Sequence, residues 1–178
     1  MNVYPHFDTI AYLANGTAAQ QAAYKVLQQY EIFKQLQHFT PVLAGTIPIN
    51  INIASSDLDI LCCYEDKRGY IETLTTHFSS FADFRLYETN FQDIPAVIAS
   101  FTLDDFPIEI FAQPIPVKEQ WGYKHMIIEH QLLLENNETF RQQIIALKKE
   151  GIKTEPAFAQ VLGLQGNPYE ALLAIQLS

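Results

Sequence analysis

Hydrophobic positions change rhythm along the chain. Ala19, Ala22, Ala23, Val26, Leu27 and Tyr30 recur at helical spacing behind Asn15-Gly16-Thr17. Thr17 and Gln20 stand there as a capping box, which predicts that the first helix starts at that threonine. A short second helix is predicted around 32–36, and the apolar run 41–44 then meets Gly45. The rhythm drops to two where Ile47, Ile49, Ile51 and Ile53 alternate with Pro48, Asn50 and Asn52. So many β-branched side chains suit a helix poorly, and the pattern predicts an extended segment.

Residues 57–63 read as a buried strand, followed by the charged turn Glu65-Asp66-Lys67-Arg68 and a helix through Ile71, Leu74 and Phe78. Strands are predicted over 84–89 and 96–103, and Asp104-Asp105 separates the second of these from a strand over 108–111, which suggests a hairpin. Beyond Pro114 and Pro116 the strand signals stop. Helices are predicted over 123–134, along the face Phe140, Ile144 and Leu147, from Thr154-Glu155-Pro156, and from Asn167-Pro168-Tyr169-Glu170. The order predicts an α/β (α+β) chain: a small mixed sheet with helices over 1–116, and a helical part over 117–178 packed on it.

Composition narrows what such a chain can do. With 178 residues, 48% of them hydrophobic and 12 Phe and 9 Tyr among them, it has the apolar bulk for one sizeable core. Its net charge of -9 repels a phosphate backbone, so a polynucleotide is disfavoured as the main partner while a small nucleotide carried by metal ions is not. Residues 1–7 hold no basic region leading into an apolar run, and no stretch approaches the roughly 20 apolar residues of a membrane span. The expectation is a soluble, cytoplasmic protein without membrane contact. Cys62 and Cys63 are neighbours on a strand and point to opposite faces, so neither a disulfide framework nor a CxxC site is expected.

Chemistry concentrates around Gly45-Thr46 and Ser55-Ser56-Asp57-Leu58-Asp59. On a strand, Asp57 and Asp59 share a face while Leu58 and Ile60 point into the core. Paired carboxylates on a rigid platform are what magnesium uses, with substrate phosphates completing its shell; an acidic turn at the start of a strand is the plainer alternative. Glu109, set between Ile108 and Ile110, must face away from both. On the same sheet face it would bring three acids together, enough for two metals and a carboxylate near an attacking hydroxyl; one solvated Glu on an exposed strand is the plainer reading.

Other candidates are weaker. His125 and Glu129 are four apart and share a helix face, which suits an acid, a base or a phosphate ligand but more often marks a surface or capping interaction. His125 and His130 are five apart and share no face, so no zinc site of the HExxH type is present. Lys118 and Lys124 could bring cations to a triphosphate; surface charge for solubility is the plainer reading. The chain has neither a dinucleotide-binding glycine motif nor a P-loop, and Ser55 and Ser56 lack the glycines of a nucleophile elbow.

Gly45-Thr46, the spacer, Asp57-Leu58-Asp59 and the later Ile108-Glu109-Ile110 resemble the DNA polymerase beta-like nucleotidyltransferase superfamily. The runs 41–48, 56–60, 108–114 and 123–129 are similar, more closely, to a bacterial nucleotidyltransferase-like family of unknown function. The resemblance implies a small mixed sheet flanked by helices, and a magnesium- or manganese-dependent transfer of a nucleotidyl group from a nucleoside triphosphate to a hydroxyl of a small molecule or protein. It implies Asp57, Asp59 and Glu109 as metal ligands and catalytic acids, with Gly45 and Thr46 near the phosphates; Ser56 beside the acids and Lys118, Lys124 and His125, read from the residues alone, are further candidate nucleotide contacts. This sequence departs from the pattern in three places: Thr46 for the usual Ser, Glu109 for the commoner Asp, and a spacer with Pro48 that does not look like the helix normally opening after the Gly-Ser pair. A binding module that keeps the fold without transfer, such as a regulatory or antitoxin-like partner, is the alternative.

Overall fold

The computed structural model describes residues 7–175. The leader reading of 1–7 therefore lies, Phe7 apart, outside the described residues. Thr17 caps α1 (Ala18–Gln29) through the box expected of it: its hydroxyl accepts from the Gln20 amide and the Gln20 side chain accepts from the Thr17 amide. α2 (Ile32–Gln35) and β1 (Val42–Ala44) follow, then β2 (Leu58–Cys63) and α3 (Lys67–Phe78), whose first amides bond the Asp66 carboxylate. β3 (Ala82–Phe91), β4 (Ile94–Leu103) and β5 (Phe106–Gln113) complete the sheet. The rest is helical: α4 (Trp121–Glu135), α5 (Glu138–Lys149), α6 (Thr154–Leu162) and α7 (Pro168–Leu173), the last capped by Asn167. No helix among the described residues is long and apolar enough to cross a membrane.

The strands lie in the order β1-β2-β5-β4-β3, with β2 and β5 parallel and the other pairs antiparallel. Asp104-Asp105 forms the expected hairpin, with Leu103 opposite Phe106. A second hairpin, not expected, joins β3 to β4 through Gln92 and Asp93, whose φ of 52° and 60° suit a two-residue type I′ turn. Its Gln-Asp pair lacks the glycine that would have announced it.

The sheet is the middle of three layers. Leu58, Ile60 and Cys62 of β2 and Ile108, Ile110 and Ala112 of β5 pack with α1, α3 and their loops. Val42, Ala44 and Leu61 point the other way, into a second cluster with Met126, Leu133, Ile144 and Phe158 of the C-terminal helices. Period-two alternation within each strand divides the side chains between these cores.

One expectation fails. Residues 47–50 form a turn instead of an extended segment: the Asn50 amide bonds the Ile47 carbonyl at 3.2 Å, the Ile51 amide bonds the Thr46 carbonyl at 3.1 Å, and Asn50 sits at φ 58°. The alternation still serves burial. Ile47 enters the first core, and Ile49 and Ile51 enter the second.

Candidate functional site

The parallel pairing of β2 with β5 sets Asp59 opposite Glu109, so both side chains leave the same face while Ile108 and Ile110 enter the core behind. The register extends this pair into a row across all five strands: Ala44, Asp59, Glu109, Ser100, Arg85. Asp57 lies one residue before β2, exposed where the ladder has not begun. All three expected acids line one cavity of about 800 Å³ between the sheet and the C-terminal helices.

Gly45 has a specific task. Its φ is 74°, and a Cβ there would lie 2.1 Å from Asp59 Oδ2, so the carboxylate occupies the room that the missing side chain leaves. That room, expected to admit phosphates, holds Asp59. The Thr46 hydroxyl bonds Ser56 Oγ at 3.2 Å, and the same oxygen accepts the Ile53 amide at 2.9 Å, which ties the glycine loop to the start of β2. No helix opens after Thr46, as the spacer implied. The turn is held from outside instead. Gln20 Nε2 donates to the carbonyls of Ile47 and Pro48 at 2.9 and 3.1 Å, and Arg141 Nη1 donates to those of Ile49 and Asn50 at 2.9 and 3.0 Å.

The helical wall corrects several expectations. Lys118 pairs with Asp8 at 2.8 Å and Lys124 is exposed; neither lines the cavity. His125 and Glu129 do line it, and at 4% and 3% exposure they are no surface pair. His125 Nε2 bonds the Tyr169 carbonyl at 2.9 Å, which makes that nitrogen the donor and turns Nδ1 toward Glu155, 3.8 Å away. Glu129 Oε1 is buried without a hydrogen-bond partner.

Sequence reasoning missed Lys148. It is 7% exposed, lines the cavity and donates to Thr154 Oγ1 at 3.0 Å. The signal was there: Phe140, Ile144 and Lys148 stand four apart on the buried stripe of α5, and a lysine continuing an apolar stripe needs a polar destination.

The charges in the cavity strain against one another. Burial, then Asp57 and Glu109, push Asp59 up to about 8, with Lys148 pulling the other way. Burial and Asp57 raise Glu109 as well. Burial lifts Glu129 well above the usual carboxylate range, and Glu155 adds to it against Lys148. Burial lowers Lys148, opposed by Glu129, Glu155, Asp57 and Asp59.

Among the described residues no group of three or more His, Cys, Asp or Glu side chains could hold a metal ion, so the three acids share a cavity without forming a three-ligand cage. Magnesium asks less of the protein: one or two carboxylates, with phosphates and water for the rest. Asp57 and Asp59 fit that mode: both line the cavity, and the repulsion by which Asp57 helps to raise Asp59 is what a cation between them would relieve.

A family model described as a domain of unknown function, DUF4269, matches residues 25–175. No curated protein matches the sequence. Solved structures share the fold. The GLD-2/RNP-8 complex aligns at TM-score 0.53 and 12% identity over 86% of this chain and 61% of its own. The polymerase core of TRAMP, an RNA surveillance complex, aligns at 0.52 and 12% over 92% and 50%. The Cid1 poly(U) polymerase with MgGTP bound aligns at 0.50 and 12% over 73% and 40%. The chain thus spans 40–61% of the length of these structures, and at such identities the likeness is one of fold: a nucleotidyltransferase fold.

Proposed function

From the premise that this chain belongs to the DUF4269 family and has a nucleotidyltransferase fold, we propose that it transfers a nucleotidyl group from a nucleoside triphosphate to a hydroxyl of a small molecule or protein. The observation that carries the reading is the register of β2 on β5, which sets Asp59 beside Glu109 on the face that meets the cavity. Asp57 and Asp59 would hold magnesium or manganese, whose chemistry there is to neutralise the triphosphate and the charge developing on pyrophosphate. Lys148, buried on the facing helix, adds a fixed positive charge toward the same phosphates, where low dielectric makes it count for more than a surface lysine.

In the transfer, the acceptor oxygen bonds to the α-phosphorus while the bond from that phosphorus to the oxygen bridging to the β-phosphate breaks. Pyrophosphate leaves with the electron pair. Glu109 takes the hydroxyl proton and returns it to water. Its raised pKa suits that task, since a base works best when its pKa approaches the working pH. Thr46 and Ser56 keep the glycine loop in register with the acids, so the site is assembled before substrate arrives.

The test is incubation with α-labelled nucleoside triphosphate, magnesium and cell extract. Label should pass to an acceptor with parental protein and not with Asp57→Ala. Nucleotide binding without transfer by the parent would favour the binding module, a reading supported by the missing helix after Thr46.

A further inference from the structure

The order of the strands arranges the cavity from one end to the other. At the β1 and β2 side stand the Gly45-Thr46 loop and Lys148, which is near enough to Asp57 and Asp59 to feel their charge, and Lys149 and Lys153 follow it in sequence on the same lining. Next come Asp59 on β2 and Glu109 on β5, and beyond Glu109 the sheet continues into β4 and β3. A triphosphate belongs with the lysines. The hydroxyl that meets Glu109 therefore arrives from the other side, over β4 and β3.

That side is aromatic and uncovered. Tyr87 and Phe91 are 48% and 42% exposed, and both line the cavity. The register carries them onto the face of the acids: Tyr87 lies opposite Ile98, Ile98 opposite Phe111, and Phe111 two residues from Glu109 on the same strand. Phe91 meets Phe111 and Trp121 edge to face, with ring centroids at 5.8 and 6.2 Å. Only Leu134 among the other large hydrophobic side chains of the described residues is as exposed, so the two rings are a local concentration of apolar surface joined to a polar site. Strand spacing puts Tyr87 about 10 Å from the β5 row, the length of a small ring compound.

Resting on the transfer reading, we infer that the acceptor is a small compound whose hydroxyl is carried on or beside an aromatic ring, and that Tyr87, Phe91 and Trp121 hold that ring while the hydroxyl reaches Glu109. Flat rings fit edge-to-face and stacked partners of this kind, whereas a saturated polyol would leave them wet.

Saturation-transfer NMR on the intact chain separates the outcomes, with N-acetyltyrosinamide as a phenol, adenosine as a nucleoside and glycerol as a saturated control. At least one ring probe should bind through its ring protons, and glycerol should not. Tyr87→Ala and Phe91→Leu should each weaken that binding tenfold or more, while Asp57→Ala leaves it unchanged, and a nucleoside triphosphate should not displace the probe. Which ring probe binds distinguishes a phenolic from a nucleoside acceptor. Absence of ring binding, or binding indifferent to both aromatic substitutions, overturns the inference. Displacement by triphosphate also overturns it, because the wall would then belong to the donor's base. Ring binding that persists when no triphosphate binds would refute the transfer reading alone and leave the ring site standing.

Discussion

Gly45 and Asp59 occupy one space between them, with the carboxylate lying where a side chain at 45 would begin. Gly45→Ala should therefore lower stability by about 1–3 kcal/mol from left-handed backbone strain and the displaced carboxylate. In an Asp59→Ala background the same change should cost less, and additive costs in denaturant unfolding would contradict the shared space. Glu129 carries a pH prediction. Its pKa is raised in the folded chain, so the native state holds a proton that the unfolded chain releases, and stability falls as pH rises above the ordinary carboxylate value of 4.5. The slope approaches about 1.4 kcal/mol per pH unit at its limit. Glu155 raises the pKa further and so extends the pH range of this slope, Lys148 shortens it, and His125 lies on the same wall. Glu129→Gln should flatten this slope in thermal melts run across pH; an unchanged slope would place it elsewhere. Asp59 and Glu109 were legible as neighbours because period two fixes which strand residues share a face, whereas Asp57, expected on the same strand, lies one residue before it. For Lys148 the stripe of α5 marks burial, but what it meets there depends on a sheet that α5 reaches only in the folded chain.

The turn after Thr46 shows what pattern cannot decide. A period of two says that alternate residues are buried, and Ile47, Ile49 and Ile51 are; it does not say that they are buried against one partner. Here they divide between two cores, which a turn achieves and a flat strand on this sheet would not. What makes the turn affordable is distant: side chains of α1 and α5 satisfy its carbonyls. Arg141→Ala should thus cost about 1.5–3 kcal/mol in chemical unfolding, the range for hydrogen bonds to a charged group. It should also loosen the glycine loop, seen as faster amide exchange at Ile51. Full retention of stability would mean that the turn holds itself. The helices, by contrast, were read closely from Thr17, Asn167 and the spacing of Phe140 and Ile144, since caps and stripes are local.

Taken whole, the chain places one sheet between two helical layers, and the residues of the site come from both sides of position 117. The division into a core over 1–116 and a helical part over 117–178 is a proposal about architecture, and Val42, Ile51 and Leu61 packing with Phe158 and Ile144 argues that the parts melt together. One transition in calorimetry is expected, and two well-separated ones would contradict it. Nucleotidyl transfer is tested most directly by calorimetric titration of a non-hydrolysable nucleoside triphosphate with magnesium. Saturable binding heat is expected in the parent and in Glu109→Gln, and none in Asp57→Ala. A parent that gives no binding heat, or an Asp57→Ala variant that binds equally, would contradict a nucleotide site built on the paired aspartates.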